Sequence, residues 1–168
     1  MREHGKPCGQ PRKSNNGDRP PSICCSYTTK GDQRTCPVAH HLQHFMLIIK
    51  PSTTPSQALV FDFQPRDPED IYVALSALRG KSVPGITRVR KISGLPRSRC
   101  WFIDATKPNA VEAAYEFNSN WKTDLRIGYH ECRHYTNGLA EVLTGKKNVL
   151  ERLRTDDQIK PDVQSSRT

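Results

Sequence analysis

The densest set of reactive side chains lies in Ile127-Gly128-Tyr129-His130-Glu131-Cys132-Arg133-His134-Tyr135-Thr136-Asn137-Gly138-Leu139. The apolar segment Leu125-Arg126-Ile127 reads as a short strand. It runs through Gly128 into a helical pattern that starts at Glu131 or Cys132. Tyr135, Leu139, Val142 and Leu143 recur at helical spacing, and Gly145 ends the pattern. Cys132 is therefore expected at a helix start, where free backbone N–H groups and the positive end of the dipole favour a thiolate. Arg133 adds a positive charge next in sequence, whereas the Glu131 carboxylate opposes a thiolate. Acyl chemistry at such a cysteine also needs a base, which must come from another part of the fold.

His44 is the candidate base. It opens the apolar run Phe45-Met46-Leu47-Ile48-Ile49, which reads as a buried strand. Ala58-Leu59-Val60-Phe61-Asp62-Phe63 reads as its antiparallel neighbour, reached through the loop that begins at Pro51. Asp62 stands alone among large apolar residues, where it can accept the second imidazole N–H and fix the tautomer. Cys132 as nucleophile, His44 as base and Asp62 as orienter suffice for acyl transfer through a thioester. Each residue alone has a plainer reading: a structural thiol, a packing histidine, and an aspartate that meets Arg66.

His130, Cys132 and His134, with Cys100 as a fourth, form a rival set of metal ligands. Structural zinc sites use a chelating pair at each end, which this spacing lacks, so neither a metal nor a cofactor is expected. His134 lies off the face of Cys132 on the helix and reads as structural. Trp101, Trp121 and Tyr129 read as core or cleft-wall residues.

The surrounding elements predict an α+β domain, an antiparallel sheet packed against helices. Asp67 and Pro68 start a helix whose apolar stripe is Ile71, Leu75 and Leu78, with Gly80 as its stop. Ile86 to Ile92 reads as a strand with one exposed face, and Cys100 to Ile103 as a short buried strand. Pro108 opens a helix with Val111, Ala114, Tyr115 and Asn118 on one side. Residues 146–154 form a further helix. Residues 1–40, rich in Pro, Gly, Ser, Asn and basic side chains, read as a disordered tail that includes Cys24-Cys25. The domain is expected over 41–155 and a second tail over 156–168.

With 168 residues, 35% of them apolar, and a mean hydropathy of −0.71, the chain has the size of one polar, soluble domain. No apolar run approaches the roughly 18 residues of a membrane span, and no secretory leader or lipidation signal is evident. The net charge of +9 is spread along the chain without a run of five basic residues or an aromatic–basic interleave. A solvated basic surface is the expectation, and nucleic acid is not an expected partner. The opposite reading needs Arg88, Arg90, Lys91, Arg97 and Arg99 on one continuous face. The six cysteines, without a leader, point to reduced thiols and an intracellular setting, cytoplasmic or plastid.

These segments resemble the permuted papain-like superfamily, specifically its lecithin–retinol acyltransferase-like branch. The family's motif, Cys-x-His-aromatic-x-Asn-x-Leu, is matched at every specified position by Cys132, His134, Tyr135, Asn137 and Leu139. The strand opened by His44 looks like the family's His-bearing strand. Phe61-Asp62-Phe63-Gln64-Pro65 resembles the strand after it, with Asp62 in the slot, often His, that precedes a proline by three. The likeness runs from about His44 to Gly145. It implies a permuted papain-like fold and thiol-dependent hydrolysis or acyl transfer on an amide, ester or thioester through Cys132, His44 and Asp62. The implied substrate is small and acyl- or peptide-like. Because some members of the superfamily are regulators, the resemblance also allows a non-catalytic regulatory or protein-interaction module with a protein partner. The hydrophobic membrane anchor of lipid-acting relatives has no counterpart here. The whole chain is similar, too, to a land-plant protein family with the signature Arg-Ile-Gly-x-His-x-Cys-Arg-His-Tyr-Thr-Asn, a likeness that brings no activity with it.

Overall fold

The computed structural model describes residues 22–29, 43–51, 56–96, 100–106 and 109–158. The expectations placed on Arg97, Arg99, Pro108, Cys8, Cys36, the Cys24 side chain and most of both tails lie outside the described residues. The described chain is α+β. Six strands form one antiparallel sheet in the order β5-β1-β2-β3-β4-β6. They are β1 (Ser22–Thr29), β2 (Gln43–Lys50), β3 (Ala58–Pro65), β4 (Val83–Ile92), β5 (Cys100–Ala105) and β6 (Asp124–Leu125). The helices are α1 (Ile71–Leu78), α2 (Ala110–Asn120), α3 (Cys132–Thr144) and α4 (Val149–Gln158).

The expected tail over residues 1–40 is overturned at 22–29, which form β1 inside the sheet between β2 and β5. Ile23 and Cys25 of this strand are buried. Polar composition averaged over 40 residues hid a short segment with Ile23, Tyr27, Thr28 and Thr29, the residue types that suit a pleated strand. The second expected tail also starts later, because α4 continues to Gln158.

β2 and β3 are continuous apolar runs because both of their faces are covered. Their register, Met46 opposite Asp62 and Leu47 opposite Phe61, sorts the side chains into two layers. Phe45, Leu47, Ile49, Phe61 and Phe63 join the main core with α2 and α3, whereas Met46, Ile48, Ala58 and Val60 form a smaller cluster with Cys100. From α3, Tyr135, Thr136, Leu139, Ala140 and Leu143 enter the main core. Val142, expected on that face, is 56% exposed. At 100° per residue it sits roughly a quarter-turn from the middle of the buried face.

The helix start expected at Asp67 and Pro68 moves to Asp70. Its Oδ1 accepts from the backbone N–H groups of Tyr72 (2.8 Å) and Val73 (3.4 Å), and the preceding residues form a turn. Of α1 only Ala77 is buried. The expected inward stripe of Ile71, Leu75 and Leu78 is exposed, because this short helix touches the sheet mainly through β4. Gly80 closes it in the left-handed region (φ 74°), as expected. Among the described residues no helix is long and apolar enough to cross a membrane.

Candidate active site

The segment before α3 is built as a closed turn. Gly128 takes φ 81°, and Arg126 and His130 exchange two backbone hydrogen bonds of 2.8 Å. The His130 ring stacks on Trp121 at 4.5 Å and bonds the Lys122 carbonyl at 2.9 Å, which anchors the turn to the core. Glu131 then serves as N-cap, and the backbone N–H of Glu131 donates to His134 Nδ1 at 3.4 Å in a capping box. Cys132 follows as the first residue of α3, partly buried. His134 is thus engaged with the helix end, as its off-face position suggested.

His44 is the second residue of β2. Since Met46 lies opposite Asp62, His44 and Asp62 are diagonal cross-strand neighbours on the same side of the ladder. His44 Nε2 stands 3.6 Å from Asp62 Oδ2, an ionic contact longer than a hydrogen bond. The same ring is a partner of the Cys132 side chain. All three expected residues therefore meet, with the His44 side chain 18% exposed and that of Asp62 only 2%. Burial disfavours charge on the ring, but contact with the Asp62 carboxylate and with Cys132 outweighs it. Together they push the His44 pKa up to about 9. The protonated form of the ring is thereby favoured.

A fourth member was not foreseen. Arg90 of β4 lies opposite Val60, which makes it Asp62's diagonal neighbour on the other flank. Its Nη2 donates to Asp62 Oδ2 at 2.7 Å and approaches Met46 Sδ at 3.9 Å. The alternation of Ile86, Arg88, Arg90 and Ile92 shows that both arginines share a face. Only the register with β3 reveals that Arg90 reaches the buried carboxylate. Asp62 Oδ1 and Thr136 Oγ1, the latter one helical turn beyond Cys132, are buried without a hydrogen-bond partner.

Other motif residues hold the scaffold. Tyr135 donates to Asn118 Oδ1 at 2.7 Å and packs against Phe63, Phe117 and Trp121. Burial, reinforced by Asp62, drives its phenol well above the usual range. Asn137 accepts from the Leu150 N–H at 3.1 Å and donates to Glu151 at 2.9 Å, tying α3 to the start of α4. Arg133 lies 5.7 Å from the Phe45 ring centroid. Tyr129, read as core or cleft wall, is instead 72% exposed.

The rival metal set does not converge, since His130 is bound to Lys122 and His134 to the helix cap. Among the described residues no group of three His, Cys, Asp or Glu side chains is placed to hold a metal ion. Cys25 and Cys100 are buried thiols, pushed up by burial to about 12 and about 11, the former also by Cys100. A groove of about 440 Å³, lined by Ala105, Thr106 and the turn from Glu141 to Gly145, lies at the far end of α3. The length of the helix puts it about 18 Å from Cys132. No protein-family model, curated protein or solved structure matches the chain.

Proposed function

We propose that the protein is a thiol-dependent hydrolase or acyltransferase of the permuted papain-like kind, acting on an amide, ester or thioester. The observation that carries this reading is the His44 ring, set between a buried carboxylate and the Cys132 side chain. An imidazolium beside a helix-start cysteine is the partner that a thiolate nucleophile needs. The Cys132 sulfur attacks the carbonyl carbon, forming an S–C bond as the C=O electron pair moves to oxygen. The first backbone N–H groups of α3 hold that oxyanion. His44 gives its proton to the leaving amine, alcohol or thiol as the bond to carbon breaks. Water or a second acceptor, deprotonated by the now neutral ring, then attacks the thioester and releases the sulfur. Asp62 holds the ring through its Nε2 side and stabilises its charge.

Residue-resolved iodoacetamide labelling across pH tests this. Cys132 should label much faster at neutral pH than a free thiol and lose that advantage in His44→Ala. Buried Cys25 and Cys100 serve as slow internal standards. A Cys132 that labels no faster in wild type than in His44→Ala sinks the proposal. One observation favours the second reading, a non-catalytic interaction module: Asp62 binds Arg90 more closely than His44, 2.7 Å against 3.6 Å, as in a purely structural ion pair.

A further inference from the structure

The turn before Cys132 presents one large side chain to solvent at a fixed place. Its underside is anchored by His130 on Trp121, and its ends are closed by the paired bonds of Arg126 and His130. Tyr129 projects from it, 72% exposed, with the Arg126 guanidinium 4.7 Å from its ring centroid. Arg126 Nε also donates to the Gly80 carbonyl at 2.9 Å, and His130 to that of Lys122 at 2.9 Å. Those two bonds set the backbone of Gly80, which lies between Arg79 and Lys81, and the backbone of Lys122 beside the turn.

All four basic residues are exposed, and among the described residues none is paired with a carboxylate. The nearest acidic residues in sequence are Asp124, which is exposed, and Glu131, which is half-buried and committed to the α3 cap. Part of the basic charge that looks scattered along the chain is thus carried on segments that meet at this turn, beside an exposed aromatic ring in contact with Arg126.

We propose that this surface is a binding site for single-stranded nucleic acid. Arg79, Lys81, Lys122 and Arg126 contact phosphates, and an unstacked base lies on the Tyr129 ring. Unpaired cations alone suit any polyanion, but an exposed aromatic face near them adds a surface that a base can cover. A duplex keeps its bases stacked and offers no face to the ring, so single strands should be preferred. The proposal does not depend on the chemistry assigned to Cys132.

The test is fluorescence anisotropy of the full chain with a labelled oligouridine of about 12 nucleotides. A duplex and a polyglutamate of equal length are the comparisons, each titrated at about 50 mM and about 200 mM salt. The single strand should bind more tightly than either. Tyr129→Ala, an exposed substitution, should weaken it about tenfold with an unchanged salt slope, the signature of a lost stacking contact. Lys81→Gln should reduce the salt slope by roughly 0.7, the share of one phosphate contact. The assignment is overturned if nothing binds at the lower salt or if Tyr129→Ala binds like wild type. Equal affinity for the duplex or for polyglutamate also overturns it. So does Arg88→Gln, on the exposed side of β4, weakening binding as much as Lys81→Gln, since that marks diffuse charge rather than a site.

Discussion

Replacing Asp62 by Asn removes the carboxylate that Arg90 and His44 share and leaves the side chain's volume almost unchanged. In the wild type the His44 pKa is raised from 6.5 to about 9 in spite of burial. A shift of that size corresponds to at most about 3 kcal/mol of folding free energy carried by the protonated ring. Because the folded-state value lies above the unfolded one, this stability is fully present below pH 6.5. It is lost progressively as the pH rises through about 9. In Asp62→Asn only the contact with Cys132 is left to oppose burial, so the His44 pKa should fall well below about 9. The stability difference between the two proteins should shrink by up to about 3 kcal/mol between neutral and strongly alkaline pH. The unpaired Arg90 adds a constant offset, since its half-exposed side chain remains charged throughout and can turn to water. Urea unfolding at a series of pH values gives the difference curve, and the titration of the His44 ring protons by NMR gives the pKa directly. A flat difference curve together with an unmoved ring pKa refutes the reasoning, because Asp62 would then not be what holds the proton.

Two scaffold predictions follow from the same packing. Gly85→Ala sets a methyl group 2.6 Å from the buried Phe63 ring, which is held among Trp121, His130 and Tyr135. It should cost about 1–3 kcal/mol in urea unfolding, and an unchanged midpoint would show that the ring has room to yield. Asn137→Ala removes both hydrogen bonds to α4 and should cost about 1–2 kcal/mol. Hydrogen exchange should show α4 amides losing protection while Cys132 labelling stays as in wild type; loss of the labelling would mean that Asn137 supports the site itself.

Much of the site's framework is legible in the sequence because it depends on local signals. A glycine turn and an amphipathic run locate the start of α3 to Glu131 or Cys132, and the structure sets Glu131 as the cap and Cys132 as the first residue. Two long apolar runs separated by a loop can scarcely be anything but buried paired strands. What escaped depends on long-range placement or on local signals diluted by their surroundings. β1 is short, polar at alternate positions and embedded in a segment of tail-like composition, so its strand character vanishes in any wide window. Arg90 looks like every other basic residue of an exposed strand until the β3–β4 register sets it diagonally beside Asp62. α1 has the apolar spacing of a core helix, yet spacing fixes which residues share a face and not what that face meets. The same limit applies to Tyr129, an aromatic that composition assigns to the core and that the closed turn delivers to the surface.

The way in which Asp62 Oδ2 is partnered adds a fourth residue, Arg90, to the three of the candidate site. An ionised carboxylate with 2% exposure must be paired and hydrogen-bonded, or its desolvation cost falls on the fold. His44 at 3.6 Å supplies attraction but no proper hydrogen bond, whereas Arg90 at 2.7 Å supplies both. Arg90 thereby partners the carboxylate at the place where its field reaches His44, while drawing part of that field to itself. A neutral residue in the Asp62 position would need no such cation, so an arginine on β4 and an aspartate on β3 form a physical pair. A chain of contacts then runs from Arg90 through Asp62 to His44 across three adjacent strands and ends at the Cys132 side chain on α3. Each group is stabilised by the next, and a change at any one of them is felt at the sulfur through the proton on His44.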